Sequence, residues 1–266
     1  MTRSAKKVSV MGAVFVAALL LASSCSALGG SSSSASSEGD GVEPQDSSSV
    51  NSEPVDADFR SFIAAPGQVS LHWKNNEDEP HGQLESVRQE LEQQGKTVKL
   101  VTNSGIFVPG FIPAGLHIED GAELQSINLL DGPGNFQLLP NGVFYVADGV
   151  AGVLESNAYA ASGIQANLAV QSGPMLLADG VIHPEFSETS ESTFVRNGVG
   201  VTADGQVLFL ISTKPVTFWE FASEFIDRGV SNALYLDGSI SVMDEPVDGE
   251  PLFPNLPLAG ILAVSE

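Results

Sequence analysis

The sequence predicts an α+β domain, with a strand-rich mixed sheet and a few covering helices, preceded by a signal peptide and a disordered linker. The first observation is that Asp-Gly and Asn-Gly pairs recur between short apolar runs, and such pairs favour tight hairpins. The second is that two amphipathic segments each lead into a short apolar run, as expected where helices cover central strands. The spacing has no fixed period, so it indicates many hairpins rather than a repeat array. Within 56–266 the Asp-Gly pairs stand at 120–121, 131–132, 148–149, 179–180, 204–205, 237–238 and 248–249, and an Asn-Gly pair stands at 141–142.

Residues 1–24 are typical of an export signal peptide. Three basic residues precede the apolar stretch 8–21, which is short for a transmembrane helix, and small residues follow it. Cys25 comes next and is the only cysteine, so the sequence excludes an intramolecular disulfide and a cysteine-based zinc site. Its position predicts the lipidated first residue of a bacterial lipoprotein, anchored to the outer face of the membrane in the cell envelope. Cleavage before an unmodified cysteine is the alternative, since Ala22 stands where leucine is usual.

Residues 25–55 are rich in serine and acidic residues and have little apolar content, so we expect a flexible tether. The folded domain is expected over 56–266. The formal net charge of the chain is −22, which repels nucleic acid at long range. We therefore expect no nucleic-acid partner. A substrate that carries a phosphate would need local groups to hold it against this field.

Two helices and three strands frame the predicted domain. A helix is expected over 83–94, where apolar residues recur at i, i+3 and i+7, and it leads into a strand at 97–102. A second helix is expected over 217–227, opening with a capping box and leading into a strand at 233–236. The apolar run 258–264 is expected to be a last strand that closes a sheet.

Polar residues beside glycine follow three apolar strands. Such junctions let backbone N–H groups approach a ligand closely, and active residues commonly lie where strands end. A plain hairpin turn is the alternative at each one. The second junction also breaks a run that is apolar on both sides, and we interpret it as a backbone bend toward a ligand, with Pro174 fixing the bend. The junctions are Asn103-Ser104-Gly105, Gln171-Ser172-Gly173 and Asp237-Gly238-Ser239.

Further polar residues interrupt apolar stretches. Asn135 follows an Asp-Gly-Pro-Gly segment that lacks the third glycine of a phosphate loop. Arg196 and Asn197 stand inside an apolar run, where an arginine needs an anionic partner, either a core carboxylate or a bound phosphate. There is no G-x-S-x-G or H-E-x-x-H motif and no dense carboxylate loop, so neither a cofactor nor a metal is expected.

The sequence contains five characteristic blocks, which are TNSGIF…PAGLHIEDG, GNFQLLPNGVFYV, QSGPMLLADGVIHPEF, RNGVGVTADGQVLFLIS and NALYLDGSIS. Together they resemble the phosphodiester glycosidase domain family, and most closely its bacterial envelope branch. They follow the order of that family, and the likeness extends from about residue 68 to the end. One departure is that the Asn-Ala-Gly common in the family is Asn103-Ser104-Gly105 here.

The resemblance implies an exported hydrolase that cleaves a sugar-1-phosphodiester, as the animal relatives do when they remove a terminal N-acetylglucosamine. In this hypothesis Asp237 acts on the sugar as nucleophile or base, and Arg196 holds the phosphate. Substrate-binding roles are expected for the polar and glycine residues named above. The alternatives are a tethered module that binds phosphosugar polymers without turnover, and a structural role in envelope assembly. The sequence does not predict the glycan, the stereochemical course or the oligomeric state. The expected substrate-binding residues are Asn103, Gly105, Asn135, Gln171, Ser172, Gly173, Asn197, Gly238 and Ser239.

Overall fold

A computed structural model of the protein describes residues 58–237, 241–244 and 257–266. Contacts divide the chain into two units, Met1–Val50 and Asn51–Glu266, and everything described below belongs to the second. The predicted signal peptide, the linker and lipidation at Cys25 lie outside the described residues, as do Gly238 and Ser239. No helix in the described ranges is long and apolar enough to cross a membrane.

Short strands make up most of the described chain. In chain order they are β1 (Phe59–Ala64), β2 (Val69–His72), β3 (Val98–Asn103), β4 (Phe107–Val108), β5 (Ile112–Pro113), β6 (His117–Glu119), β7 (Ala122–Gln125), β8 (Gly142–Ala147), β9 (Val150–Glu155), β10 (Leu168–Ser172), β11 (Met175–Ala178), β12 (Val181–Ile182), β13 (Asn197–Thr202), β14 (Val207–Ser212), β15 (Val230–Asp237), β16 (Met243–Asp244) and β17 (Ile261–Ser265).

The strands form three main sheets and one isolated hairpin, β4-β5. The six-stranded sheet has the order β1-β14-β13-β15-β11-β12, the five-stranded sheet β7-β6-β10-β8-β9, and the four-stranded sheet β16-β3-β17-β2. Every strand pair in the described residues is antiparallel, so the expectation of a mixed sheet is corrected. The reason is that hairpins join many of the neighbouring strands, and a hairpin makes its two strands antiparallel.

The Asp-Gly pairs explain three of these hairpins. At 120–121, 148–149 and 179–180 both residues have positive φ, which a two-residue type I′ turn requires. The pair 204–205 lies between β13 and β14, with Gly205 at φ 83°. The Asn-Gly pair at 141–142 is not a turn, because Gly142 is the first residue of β8.

The main core lies between the three sheets, and each helix covers a different sheet. Helix α1 (Leu84–Gln93) packs on the four-stranded sheet, α2 (Ser156–Ser162) on the five-stranded sheet and α3 (Phe218–Asp227) on the six-stranded sheet. The α+β class and the two predicted helices are confirmed. Helix α2 was not predicted, because Tyr159 is its single large buried side chain and no apolar period marks it.

Strands β10 and β11 belong to different sheets, and Gly173-Pro174 joins them. The Pro174 carbonyl accepts from the Tyr235 N–H at 3.1 Å, and the Pro140 carbonyl accepts from the Met175 N–H at 2.8 Å. The polar break in this apolar run is therefore a crossover between two sheets, where we had expected a bend toward a ligand.

Candidate functional site

A cleft with a volume of about 380 Å³ opens beside the C-terminal end of β15. This volume falls in the range usual for small-molecule sites. Asp237 is the single carboxylate in its described lining, and Asn135 also lines it. Two of the expected site residues therefore share one cleft. The described lining consists of Ile106, Phe107, Val108, Ala114, Asn128, Pro133, Gly134, Asn135, Phe136, Gln137 and Asp237.

Asp237 reaches the cleft from the end of a strand that is irregular at this point. Asn197 pairs with Asp237 while Gly198 pairs with Tyr235, so Leu236 is an extra residue on β15. Such a bulge redirects the side chains around it. Asp237 is largely buried, its N–H donates to Asn197 Oδ1 at 3.0 Å, and its carbonyl accepts from Ser241 Oγ.

Asn103 and Asn197 form a buried amide pair beneath Asp237. Asn197 Nδ2 donates to Asn103 Oδ1 at 2.8 Å, and Asn103 Nδ2 donates to Asn197 Oδ1 at 3.3 Å. Asn103 Oδ1 also accepts from the Val242 N–H at 2.9 Å. The two amides thus bind the backbone on both sides of residues 238–240. The structure places them as supports of Asp237 and outside the described lining of the cleft, and their expected contact with substrate stays a prediction.

Gln171 is also a support and does not line the cleft. Its Oε1 accepts from the N–H groups of Leu116 (3.1 Å) and Asn128 (2.8 Å). Its Nε2 donates to the Asn128 carbonyl at 2.8 Å and to Ser156 Oγ at 3.0 Å. These four bonds use both donors and two acceptor positions of the amide. Gln171 thus fixes Asn128, which does line the cleft, and its own contact with substrate stays a prediction.

The other residues of the first two junctions are packing positions. Ser172 Oγ donates to the Leu236 carbonyl at 2.8 Å and accepts from the Ile106 N–H at 3.3 Å. A Cβ on Gly105 would lie 3.2 Å from the Gln171 carbonyl oxygen, and one on Gly173 would lie 2.9 Å from that of Phe136. In this structure these glycines permit a close approach between backbone segments, and their expected approach to a ligand stays a prediction.

Arg196 is placed in the core under α3 and does not line the cleft. Its side chain is 1% exposed, and its guanidinium lies 3.6 Å from the ring centre of Phe218. Nε donates to the Val216 carbonyl at 2.9 Å, Nη2 to the Ser192 carbonyl at 3.2 Å and Nη1 to the Tyr235 hydroxyl at 3.4 Å. Burial lowers the pKa of this guanidinium.

The reason for this placement is that successive side chains of a strand point to opposite faces. Asn197 points toward Asn103, so Arg196 points toward the helix-covered face. Backbone carbonyls and aromatic rings satisfy the buried cation, so this position gives no support to its expected role as the phosphate ligand, which stays a prediction.

The described lining of the cleft contains no Lys, Arg or His. The internal segments 238–240 and 245–256, which border the site in sequence, contain none either. An anion in this cleft would therefore rely on backbone N–H groups and on the amides of Asn128, Asn135 and Gln137 rather than on a cationic side chain.

Several lining residues were not predicted. The hairpin β4-β5 contributes Phe107 and Val108, and the loop after β7 contributes Asn128 and Pro133. The Pro-Gly pair at 109–110 is a turn signal that indicates the hairpin. Nothing in the sequence indicates that the hairpin faces Asp237, because this depends on how separate sheets pack.

Comparison with known proteins identifies a family model and a relative that match this chain. The family model described as phosphodiester glycosidase matches residues 92–243, which include every described lining residue of the cleft. The uncharacterized protein YigE of Escherichia coli (strain K12) is 38% identical over 177 residues, covering 66% of this chain and 69% of YigE.

Two solved structures share the fold. The catalytic domain of zebrafish N-acetylglucosamine-1-phosphodiester alpha-N-acetylglucosaminidase, auto-inhibited by its pro-peptide, superposes with a TM-score of 0.55 at 16% identity, covering 81% of this chain and 85% of that one. A hypothetical protein from Synechocystis gives a TM-score of 0.50 at 12% identity, covering 80% and 60%. With the match of the family model over more than half of the sequence, these findings show that the chain belongs to the phosphodiester glycosidase family.

Proposed function

We propose that the protein is an exported hydrolase that cleaves a sugar-1-phosphodiester bond in a glycan of the cell envelope or its surroundings. The observation that carries the proposal is the position of Asp237 at a cleft of about 380 Å³, inside the segment that matches the family model. The predicted signal peptide and Cys25 support a location outside the cytoplasm, with a lipid anchor on the outer face of the membrane.

In the proposed reaction, a water oxygen becomes bonded to the anomeric carbon and the bond from that carbon to the phosphate oxygen breaks. The products are a free sugar and a phosphate monoester. This leaving group is already a stable anion, so it needs less protonation than the alcohol released by an ordinary glycosidase. Asp237 acts on the sugar side, as the nucleophile or as the base that takes the proton from water.

The phosphate needs donors, and the cleft offers neutral ones. Asn128, Asn135 and Gln137 line it with amide side chains. Donors that are already in place where negative charge develops stabilise the transition state, and losing one costs about 2.7–4 kcal/mol. We assign this role to the amides and to neighbouring backbone N–H groups, in place of Arg196.

The test is to incubate the purified protein with a panel of sugar-1-phosphodiesters, with and without a chelator, and to measure released sugar. Asp237→Asn is expected to lower kcat about a hundredfold or more while ligand binding persists, because the amide cannot act as base or nucleophile. The matched control is Asp179→Asn, in a hairpin turn at φ 50° that also suits asparagine, and it is expected to keep full activity.

Two other outcomes of this experiment would contradict parts of the proposal. Binding of panel members without release of sugar by the unmodified protein would identify a non-catalytic module for phosphosugar polymers. Full activity of Asp237→Asn would refute the role of Asp237.

A further inference from the structure

Exposed apolar side chains are frequent on two segments that contribute residues to the cleft lining. Of the twelve large apolar residues exposed in the described chain, five belong to two segments that line or flank it. We call these five the apolar rim. They are Val108, Phe111, Ile112, Leu129 and Leu130.

The first part of the rim is the hairpin β4-β5. Val108 lines the cleft and pairs directly with Ile112, so their side chains stand on the same face of the hairpin. They are 43% and 40% exposed. Phe111, at the tip, lies with its ring centre 5.9 Å from that of Phe107, another lining residue.

The tip is held in a costly backbone conformation. Phe111 has φ 57°, which an aromatic residue rarely adopts and which costs about 1–3 kcal/mol. The indole N–H of Trp73 donates to the Phe111 carbonyl at 2.7 Å and fixes this conformation. Strain of this kind is concentrated at ligand-binding sites, and here it accompanies a phenyl ring that lies beside Phe107 of the cleft lining.

The second part of the rim is the segment that connects Asn128 and Pro133, both of which line the cleft. Leu129 is 48% exposed and Leu130 is 75% exposed, the largest value among the exposed apolar residues. The Leu130 N–H donates to Asn128 Oδ1 at 3.1 Å, so the segment is tied to the cleft wall. The cleft thus has apolar surfaces contributed by two separate parts of the chain.

The charge of the protein disfavours a polyanionic substrate in this cleft. The described lining has no cationic side chain, and the whole chain carries a net charge of −22. A polymer with many phosphates would be repelled along its length, whereas a single phosphate attached to a hydrocarbon would meet the apolar rim.

We propose that the substrate is a sugar-1-phosphodiester whose second alcohol is apolar, as in a sugar phosphate esterified to a long hydrocarbon chain, and that the apolar rim binds this hydrocarbon. The inference rests on the proposed function and names the substrate class of the same cleft. The sugar and phosphate occupy the cleft beside Asp237, and the chain lies across the hairpin β4-β5 and the segment with Leu129 and Leu130.

The experiment compares octyl and methyl diesters of each sugar 1-phosphate in the panel, below the micelle concentration. The octyl ester is expected to have a kcat/KM about tenfold higher or more, because burying even two methylenes contributes that factor. The double variant Ile112→Ser/Leu130→Ser is expected to reduce the octyl-to-methyl ratio toward one. The matched control is Ile63→Ser/Val181→Ser, two exposed apolar residues on the edge strands β1 and β12, and it is expected to keep the ratio.

A second measurement separates this inference from the proposed function. Octyl phosphate and methyl phosphate are compared for binding by calorimetry, which requires no turnover. Tighter binding of octyl phosphate that weakens in the rim variant supports the inference even if no diester is cleaved, and in that case only the proposed function fails. Equal kcat/KM values for the two diesters, or equal affinities for the two phosphates, would overturn the inference and leave the proposed hydrolysis intact.

Discussion

The amide pair Asn103–Asn197 joins strands of two different sheets, β3 and β13, and supports the residue proposed to act on the sugar. Both side chains are buried, and together they bind the N–H groups of Asp237 and Val242. Two amides that satisfy each other and the backbone hold a fixed geometry, because any displacement leaves a buried polar group without a partner.

Replacing Asn197 with alanine therefore affects turnover through Asp237. We expect kcat to fall about tenfold to a hundredfold with a smaller change in KM, since a slight displacement of a reacting group costs this much. Kinetics on the best diester of the panel measures the change. The control is Asn167→Ala, which removes another asparagine that accepts from a backbone N–H, at the hairpin of Asp148. An unchanged kcat in Asn197→Ala would show that the pair does not position Asp237.

The contrast between Asp237 and Arg196 shows what sequence can predict at this scale. Both residues lie in apolar runs of the sequence, and this position predicts that each is buried. The structure confirms burial for both. Whether a buried arginine binds a phosphate, a carboxylate or backbone carbonyls depends on which side of the sheet it faces, and Arg196 directly precedes β13. The carbonyls of Ser192 and Val216 that satisfy Arg196 come from two separate loops, whose paths have no signal in the sequence.

Among the elements, those with strong local signals were predicted and those that depend on packing were not. Helices α1 and α3 have an apolar face and were found within one or two residues. The crossover at Gly173-Pro174 was interpreted as a ligand site, because a polar break between two buried strands has the same pattern in either case. Assigning β10 and β11 to different sheets requires the pairing partners, which periodicity does not give.

The start of α3 allows a quantitative test of one such local signal. Thr217 Oγ1 accepts from the Glu220 N–H at 3.1 Å, and the Glu220 carboxylate accepts from the Thr217 N–H at 2.7 Å. The bonds that the Glu220 carboxylate accepts from the Thr217 N–H and, at 2.9 Å, from the Thr217 hydroxyl lower the pKa of Glu220. Thr217→Ala removes the cap and is expected to lower the free energy of unfolding by about 1 kcal/mol in urea denaturation. Thr189→Ala, on an exposed loop, is the control and is expected to change it by less than about 0.5 kcal/mol. Equal effects of the two variants would contradict a stabilising cap.

On the scale of the whole molecule, three sheets around one core place histidines from separate strands and loops near each other. His72 Nε2 lies 2.8 Å from Ser70 Oγ, and its ring centre is 6.2 Å from that of His81. Burial is the main cause that lowers the pKa of His72, to about 4. The charges of His81, Lys96 and His117 lower it further, and the charge of Asp120 opposes them. The folded protein therefore favours the neutral ring.

The sign of the resulting pH dependence follows from linkage. The unfolded chain takes up a proton on His72 near pH 6.5, whereas the folded protein does so only near pH 4. Stability is thus highest above pH 6.5 and declines as the pH falls from 6.5 to 4, by about 3 kcal/mol at most for this group. The measurement is urea denaturation at pH 7.5 and pH 5 for the unmodified protein and for His72→Gln. The variant is expected to lose less stability between the two pH values, because it has no proton to bind at this position.

His183→Gln, at another of the four histidines, is the variant for comparison. Burial also lowers the pKa of His183, so this variant is expected to show a smaller effect of the same sign. If His72→Gln loses as much stability as the unmodified protein, acid sensitivity in this range originates elsewhere in the fold.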